Sequence, residues 1–214
     1  HPNLDMVEKT QVFPLVNVYE SDSELTSESN ITDWAIKYFR SKTKINNIKS
    51  SDIFNYCYAM LHHQIFLSTY QKDLQRSSPR IPFLQKHFKT ISSIGKKLIL
   101  LHLNFSNIKI TSLKPTPETR EFLNTTRRID YSIEKLKISR DKSILTYNKE
   151  LEFYIPEDAW GYEVNGRTPL EWIVDQYKDY PAADDAILNL IGRCITVTKN
   201  SKQLIEELSD IKIN

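Results

Sequence analysis

Apolar residues in the first half of the chain recur with the period of a helix. From Asp52 to about Leu74 they fall at i, i+4 and i+7 on two adjoining stripes, which predicts one long, well-buried helix. The segment SSPRIPF that follows contains two prolines, which cannot donate backbone hydrogen bonds and favour extended backbone, so we expect a stiff connecting arm. A second helix is predicted over 84–103, with one face formed by Phe88, Ile91, Gly95, Leu98 and His102.

The segment before these helices is less regular. KTQVFPLVNVYE is apolar, rich in β-branched residues and interrupted by Pro14, a pattern typical of an edge strand or a short strand pair. The polar run SDSELTSESN that follows is predicted to be a loop. A short helix is predicted over 32–42, with three side chains partly buried: Trp34, Ile36 and Phe39.

The period of the apolar residues changes from 3.6 to 2 between Arg127 and Ile155, which predicts strands. Their phase slips between Ile133 and Leu136, which indicates a bulge or bend, and SRDKS has the composition of a turn. The alternating residues are Ile129, Tyr131, Ile133, Leu136, Ile138, Leu145, Tyr147, Leu151, Phe153 and Ile155.

Helices return in the last third of the chain. TPLE predicts a capping box, with Thr168 at the N-cap, Pro169 in the first helical position and Glu171 at the third. AADDAILNLIGRCITVTK and SKQLIEEL predict a final pair of helices.

These elements together predict an α+β fold, in which a helical layer packs on a small, mostly antiparallel sheet and C-terminal helices close one side. We expect a single domain over residues 1–214. A subdivision is expected near residue 125, between a mainly helical part, 1–125, and the strands and C-terminal helices, 126–214.

The net charge of +2 conceals an uneven distribution. Residues 1–79 carry eight Lys and Arg against nine Asp and Glu, residues 80–150 carry fifteen against six, and residues 151–214 carry six against twelve. The middle segment is therefore +9, the charge expected of a surface that faces a polyanion such as nucleic acid. A solvated, lysine-rich face is the equally weighted alternative.

Some basic residues of the strand region alternate with apolar residues. Lysines alternate with Leu136 and Ile138, so one face of the strand can pack while the other presents cations, and a β-ribbon of this kind can enter a major groove. An edge strand whose lysines prevent aggregation is the alternative. The candidate DNA-binding residues are Arg127, Arg128, Lys135, Lys137, Arg140, Lys142 and Lys149.

Catalytic or metal-binding chemistry has little support in the sequence. His62 and His63 are adjacent, so on a helix their side chains point about 100° apart and cannot easily bind one metal. His102 lies on an apolar stripe, where a hydrogen-bonded core histidine is expected. There is no GxGxxG turn and no complete phosphate-binding loop, so we expect no catalytic residue, metal site or cofactor in this chain.

Two further features concern the cellular setting. Cys57 and Cys194 sit in apolar helical patterns without CxxC spacing, which is typical of buried thiols in a reducing compartment and predicts a cytoplasmic protein. No apolar run reaches the roughly 18 to 20 residues that span a bilayer, so no membrane partner is expected. The start HPNLDMVEK lacks an initiator methionine, so we expect a fragment of a longer chain.

Four blocks of the sequence carry a resemblance to a known family: FPLV, YCYAMLHHQIFLSTYQKDLQRSSPRIPF, IGKKLILLHLNF and ILTYNKELEFYIPEDAWGYEVNGRTPLEWIVDQY. Together they resemble the C-terminal specificity domain of type ISP restriction-modification enzymes, from about Met6 to Leu208. Those enzymes are single polypeptides that couple a nuclease, a helicase-like ATPase, an adenine methyltransferase and a target recognition domain. One departure is VNGR, where related sequences tend to have two glycines, so Asn165 and Arg167 alter the turn before the capped helix.

The resemblance implies that this chain recognises a short asymmetric sequence in double-stranded DNA, for adenine methylation and cleavage by upstream domains. It implies partners within the parent chain, namely the methyltransferase and the helicase-like domain, and it implies S-adenosylmethionine, ATP and magnesium for the parent rather than for this fragment. The tyrosine-rich block and PRIPF would be scaffold, so a site at His62 and His63 is not expected. Base-reading residues vary between members, so no individual contact is carried over.

Two other functions stay open. The chain could be a protein-docking module that contacts the methyltransferase or helicase-like part through its acidic final third, with little DNA binding of its own. A free-standing hydrolase that uses His62 or His87 is the remotest alternative.

Overall fold

The computed structural model divides the chain into two compact units, which we call the helical unit, His1–Ile99 with Leu208–Asn214, and the strand unit, Leu100–Glu207. The structure describes residues 12–21, 24–74, 76–126, 135–148, 151–164, 166–178 and 185–213. No helix within these ranges is both long and apolar enough to cross a bilayer.

The first described element of the helical unit is a β-hairpin. Strand β1, Val16–Ser21, pairs antiparallel with β2, Glu24–Ser29, in a register that sets Val18 opposite Ser27. The prediction of a loop over SDSELTSESN is therefore wrong over Glu24–Ser29, which form β2, and at Ser21, which ends β1. Every residue of β2 is exposed, so backbone pairing with β1 rather than an apolar face holds it as a strand, and the hydrophobic pattern carries no signal of it.

The first helix is confirmed. Helix α1 spans Asp33–Thr43, and the Thr32 hydroxyl caps it by accepting the Ala35 amide at 3.2 Å. The expected partial burial of Trp34 is wrong, because its side chain is 72% exposed and stacks on Tyr38 with ring centroids 5.3 Å apart.

The single long helix predicted from Asp52 to Leu74 is broken into three pieces. These are α2, Ser50–Met60, α3, Gln64–Thr69, and α4, Gln71–Leu74. The first break covers the three residues between Met60 and Gln64 and includes His63, whose backbone is extended and whose fully buried ring makes a hydrogen bond between Nε2 and the Ile211 carbonyl at 2.8 Å. A tertiary contact 148 residues away in the chain thus holds a residue of the break in place, although the apolar stripes continue through it.

The proline-containing arm is anchored by Tyr56. The buried hydroxyl of Tyr56 donates to the Pro82 carbonyl at 2.7 Å and accepts the Leu84 amide at 2.8 Å. A 3-10 turn, Gln85–His87, then leads into α5, Phe88–Leu103, close to the predicted helix. Its predicted face is confirmed: Phe88, Ile91, Gly95 and Leu98 are buried and His102 is half-buried.

The strand unit contains a second sheet with strand order β3-β6-β5-β4 and antiparallel pairing throughout. Three of its strands match the predicted alternation, whereas β3 and helix α6, Pro117–Thr125, were not predicted from the sequence. The predicted strand residues Ile129, Tyr131 and Ile133, and the phase slip after them, lie outside the described residues. The strands are β3, Lys114–Pro115, β4, Leu136–Ile138, β5, Ile144–Tyr147, and β6, Leu151–Tyr154.

Two helices complete the core on one face of this sheet. Helix α7, Pro169–Tyr177, starts with the predicted capping box: the Thr168 hydroxyl accepts the Glu171 amide at 3.3 Å, and the Glu171 carboxylate accepts the Thr168 amide at 3.0 Å. Helix α8 spans Ala186–Ser209, so the predicted final pair of helices is one continuous helix. The core joins Leu145, Tyr147, Leu151 and Phe153 of the sheet to Leu170, Val174, Ile191 and Ile195 of the helices.

This arrangement confirms the α+β class, with two small antiparallel sheets and C-terminal helices. Whether the chain behaves as one domain, with a subdivision near residue 125, stays a prediction.

Candidate nucleic-acid interface

The hairpin β4–β5 carries four of the seven candidate DNA-binding residues. Lys135 and Lys137 are exposed, whereas Leu136 between them is only 6% exposed and Ile138 is half-buried. The alternation predicted from the sequence is thus present, with apolar side chains on the core face and lysines on the other. In the described part of the sheet β4 is the last strand in the order, so these lysines stand at a sheet edge.

The turn that joins β4 to β5 is closed by its own polar side chains. The Lys142 amide donates to the Ser139 carbonyl at 3.0 Å, which confirms the turn predicted at SRDKS. The Asp141 carboxylate accepts the Ser139 hydroxyl at 2.5 Å and the Ser143 hydroxyl at 2.7 Å, and these bonds lower the pKa of Asp141. Arg140 is exposed at this turn, and its guanidinium has no hydrogen-bonding or ionic partner in the described residues.

Lys142 is held within the strand unit. Its Nζ lies 2.9 Å from Glu171 Oε1 and 4.9 Å from the centroid of the Trp160 ring, and its carbonyl accepts the Trp160 indole N–H at 3.2 Å. The hydrogen bond from the Thr168 amide, reinforced by Lys142, lowers the pKa of Glu171 to about 2. The ammonium of Lys142 is therefore partly neutralised, in contrast with Arg140.

The outward face of the sheet combines donors and acceptors. Lys137 lies opposite Thr146, and Thr146 lies opposite Glu152, whose carboxylate accepts the Thr146 hydroxyl at 3.4 Å. Lys114 lies opposite Tyr154, which is 46% exposed. A face of this composition can make polar contacts with base edges and ionic contacts with phosphates.

Three candidates, Arg127, Arg128 and Lys149, lie outside the described residues. The structure therefore brings Lys135, Lys137, Arg140 and Lys142 together on one hairpin and gives no position for the other three. A DNA-binding role for all seven stays a prediction.

The histidines and cysteines occupy structural positions. His62 Nδ1 lies 2.8 Å from the Tyr58 carbonyl oxygen, and burial lowers the pKa of this imidazole. His102 Nε2 lies 2.9 Å from Ser201 Oγ, as expected of a satisfied core histidine. Burial raises the pKa of Cys57 and raises that of Cys194 to about 11. Within the described ranges, no three His, Cys, Asp or Glu side chains are grouped as a metal ion would require.

A second cluster of positive charge is not visible when charges are counted separately over residues 1–79, 80–150 and 151–214. Residues 31–99 carry twelve Lys and Arg against three Asp and Glu, whereas residues 100–207, the strand unit, carry fifteen against seventeen. The boundary between residues 79 and 80 split this cluster, and a sliding count of charge along the sequence would have found it.

Comparison with known proteins agrees with the resemblance. The family model of the type ISP C-terminal specificity domain matches residues 1–207. No curated protein matches the chain. Among solved structures, a chain of the cryo-EM structure of the DrdV–DNA complex is similar, with a TM-score of 0.74 and 27% sequence identity. The alignment covers 91% of this chain and 21% of that chain, so the present chain spans about a fifth of its structural relative. With nearly its whole length matched by the family model, the chain belongs to the family of type ISP C-terminal specificity domains.

Proposed function

We propose that this chain recognises a specific sequence in double-stranded DNA as the target recognition part of a larger restriction-modification enzyme. In this role it directs adenine methylation and ATP-dependent cleavage that other parts of the parent chain perform. The observation that carries the proposal is the match of residues 1–207 to a specificity domain. The similarity to a protein solved as a DNA complex supports it.

The β4–β5 hairpin is the element we assign to base reading. It presents Lys137 on the outward face of β4 and Arg140 in the turn, and the Arg140 guanidinium has no partner in the described residues. Arginine can donate two hydrogen bonds to a guanine edge in the major groove, and a two-stranded ribbon fits that groove. The closed Ser139–Asp141–Ser143 turn limits the conformations of the ribbon tip, which reduces the entropy lost on binding.

Under this proposal the chain contributes binding rather than catalysis. S-adenosylmethionine, ATP and magnesium would be bound by the methyltransferase, the helicase-like ATPase and the nuclease of the parent, which would also be its intramolecular partners. The reducing environment favoured by the two free cysteines makes the cytoplasm the proposed location.

The test is a selection of the 214-residue chain against a randomised duplex pool at low and moderate salt. We expect one asymmetric motif to be enriched and to stay enriched as salt increases, because base contacts persist when phosphate contacts weaken. The double variant Lys137→Gln/Arg140→Gln should lose the preference for that motif. The control, Lys109→Gln/Lys178→Gln, removes the same charge from exposed positions of the strand unit and should keep the preference.

One result would contradict the proposed function, and another would contradict its assignment to the β4–β5 hairpin. Absence of binding to any duplex would reject DNA recognition by this chain. Retained preference in Lys137→Gln/Arg140→Gln would move base reading away from this hairpin.

A second function is favoured by the β1–β2 hairpin. Val18 is 65% exposed and Leu25 is 76% exposed, so apolar side chains on both strands are left without a covering element in the described residues. A docking module that contacts the methyltransferase or helicase-like part of the parent would cover them. Stable binding of the chain to a separately expressed upstream part, lost in Val18→Ser/Leu25→Ser, would support docking.

A further inference from the structure

The helical unit contains a marked local excess of positive charge. Residues 31–99 carry twelve Lys and Arg against three Asp and Glu, a net charge of +9, and all twelve cations lie in the described residues. The strand unit, with fifteen against seventeen, is slightly acidic. Over its full extent the helical unit carries fourteen Lys and Arg against ten Asp and Glu, so the net positive charge of the molecule lies on a unit other than the one that carries the proposed base-reading hairpin.

These cations are not neutralised by carboxylates. All ion pairs of the described residues lie in the strand unit: Lys142 with Glu171, Arg167 with Asp175, Lys199 with Asp158, and Lys202 with Glu206. In the helical unit, Arg40 donates to the Ile48 carbonyl at 2.7 and 3.1 Å, a contact that leaves its charge in place. A surface of unpaired cations is repulsive by itself and gains most from a polyanion.

Helix α5 arranges part of this charge in a row. Phe88, Ile91 and Leu98 are buried, whereas Lys89 and Lys96 are exposed on the opposite side. These two lysines are seven residues apart, which places them on the same side of the helix with a rise of about 10 Å between them. Phosphates follow one another at about 3.4 Å per strand along a duplex axis, so the row spans about three of them.

The same lysines line a groove of about 360 Å³ in the helical unit. Asn47, Asn55 and Ser93 also line it, and none of their side chains has a hydrogen-bond partner in the described residues. Together with the two lysines they place neutral and charged donor residues around one groove. Hydroxyl, amide and lysine donors are the groups that contact phosphate oxygens in protein–DNA complexes.

One carboxylate, that of Asp52, also lines the groove. It accepts the backbone amide of Lys49 at 2.8 Å, so part of its charge is offset at the start of α2. Lys44 and Lys49, at the two ends of the loop that contributes Asn47, are exposed. The described lining of the groove, with two lysines and one carboxylate, remains net positive.

From this geometry we infer that the basic groove of the helical unit, lined by Lys89, Lys96, Asn47, Asn55 and Ser93, binds the sugar–phosphate backbone of duplex DNA without regard to sequence. The inference rests on the proposed function and adds a separate surface to it. Lysine ammonium groups lack the planar guanidinium with which arginine donates two hydrogen bonds to guanine. They therefore suit binding to phosphates rather than recognition of bases. An acidic protein surface is the competing occupant, and the test separates the two.

The experiment compares two double variants of the 214-residue chain that each remove two positive charges. Lys89→Gln/Lys96→Gln alters the groove, and Lys199→Gln/Lys202→Gln alters paired lysines of the strand unit. Binding to the selected duplex and to a scrambled duplex is measured by fluorescence anisotropy from 50 to 200 mM salt. The charge-retaining variant Lys89→Arg/Lys96→Arg serves as rescue, and thermal unfolding followed by circular dichroism verifies folding.

We expect the groove variant to lose roughly tenfold in affinity for both duplexes. The slope of log affinity against log salt concentration should become shallower by about 1.8, because each lost phosphate contact removes about 0.9 from it. The ratio of affinities for the two duplexes should not change, the arginine variant should bind like wild type, and the strand-unit variant should retain its slope. An unchanged slope in the groove variant, with motif preference intact in wild type, would overturn this inference and leave the proposed function standing. A changed affinity ratio would overturn sequence independence, and failure of wild type to bind any duplex would overturn both proposals.

Discussion

Lys142 Nζ lies 2.9 Å from Glu171 Oε1, which ties the β4–β5 turn to the first turn of α7. The same carboxylate accepts the Thr168 amide at 3.0 Å and completes the capping box. One glutamate thus stabilises a helix start and a neighbouring hairpin together. The sequence signals only its capping role, because the lysine is 29 positions away.

This arrangement predicts a pH-dependent contribution to stability. The folded pKa of Glu171, about 2, is below the ordinary glutamate value of 4.5, so its stabilisation is present above about pH 4.5 and is lost as pH falls toward 2. The free energy of unfolding of wild type should exceed that of Glu171→Gln at pH 6, and the gap should close between pH 4.5 and pH 2. Urea unfolding across this range measures it. A gap that is the same at pH 2 and pH 6 would contradict the assignment.

The Tyr56 hydroxyl should contribute measurably to the stability of the helical unit. Tyr56→Phe removes a donor to the Pro82 carbonyl and leaves the half-buried Leu84 amide without its acceptor, which costs about 1–3 kcal/mol. Tyr70→Phe is the matched control, because Tyr70 is 42% exposed. Equal free energies of unfolding for the two variants would argue against Tyr56 as the anchor of the arm.

The sequence predicted elements well where a periodic apolar face decides the structure. Helix α5 and strands β4, β5 and β6 are such cases, and the capping box at Thr168 is local in sequence. Local patterns also predicted the alternation of lysines with Leu136 and Ile138.

Two of the failures, in α8 and between α2 and α3, have long-range causes. Helix α8 continues through the polar residues around Asn200, because Ser201 is fully buried and Ser201 Oγ lies 2.9 Å from His102 Nε2. His63, in the break between α2 and α3, is held by its contact with Ile211. A contact with a residue about a hundred or more positions away cannot be inferred from one sequence. The predictions for α8 and for the segment around His63 therefore rested on the apolar pattern alone, and both were wrong.

Both thiols should react slowly in the folded protein. Burial raises the pKa of Cys194 to about 11, and it also raises the pKa of Cys57. At pH 8 the thiolate of Cys194 is then about 100-fold scarcer than for a thiol with the ordinary pKa of 9.0. Labelling with a thiol-specific disulfide reagent should be slow for the native chain and rapid for both cysteines in urea. Rapid native labelling at Cys194 would show that the α8 face is not packed as described.

The packing of α5 against α2 depends on the absence of a side chain at position 95. A Cβ built on Gly95 would overlap the Asn55 carbonyl and lie 3.2 Å from the Ala59 Cβ. Because the first clash is with backbone, the helices must separate, and Gly95→Ala should destabilise the chain by about 1–3 kcal/mol even though alanine favours a helix by up to about 1 kcal/mol. Thr90→Ala, at an exposed position of the same helix, should change the free energy of unfolding by less than about 0.5 kcal/mol. Urea unfolding of the two variants decides the matter, since a Gly95→Ala chain as stable as wild type would mean that α5 and α2 can move apart without loss of packing.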